Sequence, residues 1–197
     1  MYVDTRNGDN IVMGSVPNYY TFPDGSRTGD FHLLNESVHI REGFLPFSDN
    51  IPSFDARYQY AMPGDIVIAE DRKSATRDWT ITDRDLDVMK SAKKVLVNDF
   101  WKQKERSGFY YNDKVFDSDI VSVIRLTTSL NATTPPEKWK TKDNQLVDIT
   151  AEYLQGMVDA LKDNANLLFM QANNHKTAID GLPTALEVAD YDITVNW

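Results

Sequence analysis

From residue 82 onward, apolar residues recur every three or four positions along the chain. Leu86, Met89, Leu96 and Phe100 hold that spacing, and Val97 and Trp101 widen the stripe, which predicts an amphipathic helix. Thr82, with Asp85 three residues later, is placed to cap its start, and Gly108 is placed to end it. Residues 109–116 (Phe-Tyr-Tyr-Asn-Asp-Lys-Val-Phe) set aromatic arms on either side of Asn112-Asp113, a hairpin signature. Asp117 or Ser118 then caps a helix carrying Ile120, Val121, Ile124 and Leu130, which Thr133-Thr134-Pro135-Pro136 breaks. Residues 139–147 predict a second hairpin that turns at Asp143-Asn144. Thr150 caps the longest helix, which runs to about Ile179. Thr184 and Glu187 form a capping-box pattern for a short helix, and residues 193–197 read as a last strand.

Upstream of residue 82 the pattern is different. Five of the eight prolines and six of the nine glycines lie there, and both residues oppose long helices. Short extended runs at 10–16 and 64–69 alternate with turn clusters such as Pro23-Asp24-Gly25-Ser26. Pro63-Gly64-Asp65 reads as a turn that delivers a buried strand at Ile66-Val67-Ile68-Ala69. The expected fold is α+β. A small, loop-rich β unit over 1–82, a candidate attachment module, precedes a helical domain over 83–197 with two β-hairpins and one long C-terminal helix.

Composition narrows the function classes. The 197 residues include 4 Trp, 9 Tyr and 9 Phe, too many aromatics for a disordered chain. Zero cysteines remove disulfides, thiolate metal sites and cysteine nucleophiles. The net charge of −9 is spread as −5 over residues 1–82 and −4 over the rest, so neither part is a hidden basic domain. The longest basic clusters are Lys93-Lys94 and Lys102/Lys104/Arg106, too little for a nucleic-acid face. Residues 1–10 carry no apolar run and do not read as a signal peptide, and no window approaches a membrane span. Neither nucleic acid nor membrane is expected as a partner.

The stretch from Ala92-Lys93-Lys94 through Gly108 and the 109–119 segment resembles a domain of unknown function recurrent in tailed-phage proteins. In that family a basic helix leads into a hairpin ending Phe-Asp-(Thr/Ser)-Asp, which stands here as Phe116-Asp117-Ser118-Asp119. The family's second hairpin, Trp-x-x-x-Asp-Asn-x-x-Val, is matched by Trp139, Asp143, Asn144 and Val147. Its closing Lys-x-x-Ile and short helix match Lys176, Ile179 and residues 184–189. Asp113 departs from the family's usual turn glycine, at some conformational cost. The resemblance covers roughly residues 90–197. Residues 24–34 and 43–46 also resemble openings of phage tail-fibre-associated proteins. Together these resemblances imply a product acting at the phage tail or its fibres, with other tail or fibre proteins as partners. They imply no catalytic activity and no cofactor.

The candidate chemistry is sparse. His32, His39 and His175 are the only histidines, and no serine sits in a nucleophile elbow. Each histidine reads as a half-buried ring with a local hydrogen bond. His32, Glu36, His39 and Glu42 would share one face only if their segment were helical, and Asn35, the β-branched residues and Gly43 disfavour a long helix there. The acids Glu70-Asp71, Asp83/Asp85/Asp87 and Asp117/Asp119 could furnish a glycosidase pair, yet nearly all flank helix starts, where capping explains them. No metal or cofactor site is expected.

The sharper signal is apolar. Leu154, Val158, Leu161, Ala165, Leu168, Ala172, His175 and Ile179 follow alternating steps of four and three. Such a seam either covers its own domain's hairpins or forms a self-association surface, with His175 expected at the helix's exposed end. Tyr19, Tyr20, Phe22, Tyr58, Tyr60, Tyr110 and Tyr111 are candidates for interface rings or for core filling. The expected role is a non-enzymatic structural protein of a phage tail or tail fibre. It would be homo-oligomeric, assembled in the bacterial cytoplasm and retained in the virion. The alternatives are a tail-fibre assembly chaperone and, from a different class, a glycan-acting hydrolase.

Overall fold

A computed structural model describes residues 1–7 and 11–197. The fold is α+β, and the chain divides into two compact units, Met1–Arg84 and Asp85–Trp197. In the first, β1 (Tyr2–Asp4), β2 (Val12–Gly14), β3 (Tyr20–Thr21) and β4 (Arg27–Thr28) lead to a 3₁₀ turn at Phe31–Leu33. Then come α1 (Glu36–Arg41), β5 (Phe44–Ser48), β6 (Gln59–Ile68) and β7 (Ala75–Asp83). Five strands form one sheet in the order β2-β1-β5-β7-β6, and its β5–β7 pair is parallel. Val3, Leu45 and Ala75 make its buried core, while Val16, Phe31 and Phe44 make a second cluster. The extended run expected over 10–16 begins outside the described residues, and β2 occupies its middle.

The turn expected at Pro63-Gly64-Asp65 is instead a bulge within β6, where the register against β7 shifts between Pro63 and Ile66. Proline and glycine are tolerated there because β6 is an edge strand. Ile66 and Ile68 are half-buried and Val67 is 50% exposed, so that strand is not buried.

The second unit runs α2 (Leu86–Glu105), β8 (Phe109–Tyr111), β9 (Lys114–Phe116), α3 (Ile120–Leu130), β10 (Lys138–Lys140), β11 (Leu146–Asp148), α4 (Ala151–Asp180) and α5 (Ala185–Asp190). Asn112 and Asp113 both adopt positive φ, 46° and 59°, which a two-residue hairpin turn requires. Thr150 caps α4 by accepting from the Tyr153 amide, and Thr184 with Glu187 completes a capping box on α5.

Three boundaries differ from the sequence expectation. Thr82 lies in β7, and Asp85 alone caps α2 by accepting from the Val88 amide. Asp119, rather than Asp117 or Ser118, caps α3, because its carboxylate reaches the amides of Val121 and Ser122. Ser118 is buried and clasps the end of α2, accepting from the Gly108 amide at 2.8 Å and donating to the Glu105 carbonyl. Gly108 therefore sits beyond the helix end, at φ +107°, and a β-carbon there would lie 2.8 Å from the Phe116 carbonyl oxygen. Residues 193–197 form no strand. They turn through Asp192, which accepts from the Thr194 amide, and the Trp197 indole donates back to the Ile193 carbonyl at 2.6 Å.

Candidate functional site

Helix α4 organises the second unit because its apolar positions are used twice. Its first half sets Leu154, Met157 and Val158 into a cluster with Phe109 and Phe116 of the first hairpin and Leu126 of α3. Its second half sets Ala172 and Ile179 against Val97 of α2. Of the candidate seam, Leu154, Val158, Leu168, Ala172, His175 and Ile179 are buried inside the unit. Leu161 and Ala165 are half-buried and line an open apolar groove of about 350 Å³, shared with Val123 and Thr127 of α3.

His175 is not at an exposed end. It is 4% exposed and stacks on Trp197, with ring centroids 5.1 Å apart. Its Nε2 donates to the Val195 carbonyl at 2.9 Å, since a carbonyl can only accept, and its Nδ1 accepts from the Tyr191 hydroxyl at 2.8 Å. Burial pushes the Tyr191 hydroxyl pKa up, which keeps that donor protonated.

The candidate aromatics separate by environment. Tyr20 stacks on Phe31 at 4.2 Å and Phe22 meets both edge-on, so these rings fill the N-terminal cluster. Tyr58 is half-buried and Tyr60 is exposed at the edge strand. Tyr111 packs edge-on against Tyr153 with its hydroxyl seated over Gly156, where any β-carbon would collide with it. Tyr19 is 83% exposed, and Tyr110 is exposed with its hydroxyl donating to Asp113.

The remaining candidates are occupied locally. His39 is buried, and its Nε2 donates to the Phe31 carbonyl; Glu42 accepts from the Tyr20 hydroxyl and from Arg41, while His32 and Glu36 are exposed. Among the described residues no group of three or more His, Asp or Glu is placed to hold a metal ion, and no helix is long and apolar enough to cross a membrane. Asp71 accepts from the Lys73 amide, Asp83 from Gln59, and Asp85 and Asp119 cap helices.

The Ser122 hydroxyl and two backbone amides hold the Asp119 carboxyl below the usual carboxylate range. Hydroxyl or amide donors act the same way on Asp24, Asp143, Asp159 and Asp192. A carboxyl whose folded pKa is depressed contributes stability that is present above its unfolded pKa, about 3.9, and is lost as pH falls through the folded value. Helical signal should therefore hold down to about pH 4 and decline below it. Asp119→Asn should flatten that decline, as circular dichroism across an acid titration will show.

Two surface features were not legible in advance. On α3, Ile120, Val121 and Ile124 lie 65%, 62% and 57% exposed, while Leu126 alone is fully buried. The sequence places those three on a helix, but i, i+1, i+4 spacing cannot say which side of it meets the protein. Leu96 on α2 is likewise exposed, joined there by Val88 and Val95, and α4 exposes Leu167, Phe169 and Met170. The second feature is a polar groove of about 490 Å³ between α3 and the β10–β11 hairpin, lined by Arg125, Lys138, Trp139 and Lys140 among others. Its only sequence trace is the Lys-Trp-Lys triplet of β10.

The fold defines an α+β protein whose C-terminal unit packs two hairpins and shorter helices on one long helix, with apolar faces left open. Residues 88–195 match the family described as a domain of unknown function (DUF4376), and the chain belongs to that family. No curated protein and no solved structure matches the chain.

Proposed function

We propose that this is a non-enzymatic structural protein of a phage tail or tail-fibre apparatus, acting through protein–protein contacts that include self-association. One observation carries the interaction reading, the solvent-facing stripe of Ile120, Val121 and Ile124 on α3. Three β-branched side chains on one face of an eleven-residue helix expose apolar area that association would remove from water. The motif resemblance over residues 90–197 supports the phage half of the reading; the family's own description names no role.

The contact is tested by light scattering on the full chain. The expected result is an oligomer that Ile124→Asp converts to a monomer with unchanged far-ultraviolet circular dichroism, since Ile124 is 57% exposed and lies outside the core cluster. A wild-type monomer at micromolar concentration would remove the self-association. The particle assignment is tested by mass spectrometry of purified virions: stoichiometric presence supports a structural part, and presence only in infected-cell lysate would replace it with an assembly chaperone.

A further inference from the structure

The groove between α3 and the β10–β11 hairpin carries chemistry that the contact faces do not use. At about 490 Å³ it falls within the range of small-ligand sites, about 300–1,000 Å³. Arg125, Lys138 and Lys140 line it in a chain of net charge −9. Lys138 pairs with Asp148 at 3.3 Å, but among the described residues neither the Arg125 nor the Lys140 side chain makes an ion pair or hydrogen bond. Two hydroxyls are open as well. Ser122 in the lining donates its hydroxyl to Asp119, and Thr127 and Thr128 on the same helix spend theirs on backbone carbonyls. The Ser129 and Thr134 hydroxyls, which line the groove, have no partner among the described residues. Trp139, Pro136 and Leu146 supply apolar wall, and Asp117 is the one acid.

We infer that this groove binds an acidic saccharide, a sugar unit bearing a carboxylate. Arg125 offers a planar fork that matches a carboxylate with two parallel hydrogen bonds, and Lys140 adds a second positive charge. Free Ser and Thr hydroxyls donate and accept, as sugar hydroxyls do. The apolar wall suits the C–H face of a pyranose ring. Asp117 decides between ligand classes. Its carboxylate accepts hydrogen bonds from neutral hydroxyls, which a saccharide supplies in number and a polyanionic peptide or a phosphate chain lacks. The site does not depend on the phage assignment.

Three probes, tetragalacturonic acid, an alginate tetramer and sialyllactose, are titrated into the isotope-labelled full chain and followed by amide chemical shifts. Galactotetraose and hexaglutamate serve as comparators. At least one acidic sugar should shift amides within residues 117–148 and bind at least tenfold more tightly than either comparator. Arg125→Ala and Lys140→Ala should each weaken it about tenfold, the scale of one lost charged hydrogen bond. Both side chains are exposed, so the variants keep the wild-type spectrum elsewhere, and Lys162→Ala should leave affinity unchanged. Absence of shifts in the groove with all three acidic sugars at millimolar concentration overturns the inference. So does hexaglutamate binding as tightly as the sugars, which would reduce the groove to a patch of positive charge.

Discussion

Phe116→Ala should destabilise the chain by about 3–5 kcal/mol, seen as a lower urea midpoint at unchanged slope. Phe116 is fully buried on β9, its ring centroid 5.7 Å from that of Phe109, in the cluster that also holds Leu126, Leu154 and Met157. The void left by the ring would be hard to close. On one side a two-residue turn fixes the hairpin, and on the other the Phe116 carbonyl lies against Gly108, leaving no room even for a β-carbon there. The loss would be a large part of the roughly 5–15 kcal/mol that holds a domain together. Val115, one position earlier on the opposite strand face, is 42% exposed. Val115→Ala should change stability by less than about 0.5 kcal/mol. Similar losses for both variants would show that the hairpin does not bury the face described.

That hairpin also shows why some of the fold could be read from the residues alone. Asn112-Asp113 flanked by aromatics, Thr150 before a long apolar period and Thr184 with Glu187 are local signals whose physics closes within a few residues. Where two local solutions competed, reading failed. Asp117, Ser118 and Asp119 are all competent caps; Ser118 is taken by the end of α2, and the Asp119 carboxylate is the one that reaches the first amides of α3. Pro63-Gly64 carries turn chemistry, but at a sheet edge the same two residues make a bulge. Residues 193–197 alternate like a strand, yet they join none of the sheets among the described residues, and the Trp197 indole bonded to the Ile193 carbonyl holds them instead.

The candidate surfaces were less legible than the fold, for a related reason. Periodicity gives the width of an apolar stripe and not the direction it faces. On α4 most of the stripe with the most regular steps turns inward, while on α3 Ile120, Val121 and Ile124 face solvent. The polar groove gave even less notice, since Arg125 and Lys140 lie fifteen positions apart and meet only because α3 and the second hairpin converge.

His175→Leu should cost about 2–3 kcal/mol and loosen residues 191–197 while leaving the hairpin cluster intact. A histidine in an otherwise apolar period invites placement at a solvent-facing end, because a buried ring needs partners for both nitrogens. Here the partners come from sixteen and twenty residues downstream, the Tyr191 hydroxyl and the Val195 carbonyl, and Trp197 covers the ring face. Leucine fills much of the same volume but satisfies neither group, so the penalty is that of stranding a partly buried hydroxyl and a carbonyl rather than of opening a cavity. Hydrogen exchange separates the two regions. Amides of 191–197 should lose protection in the variant, and amides of β8, β9 and the first half of α4 should keep it. A uniform loss across both regions would mean that His175 supports the unit as a whole. Unchanged protection at 191–197 would mean that the packing of Tyr191, Ile193 and Trp197 against the Val97–Ala172–Ile179 cluster holds the segment without the ring stack or the two hydrogen bonds.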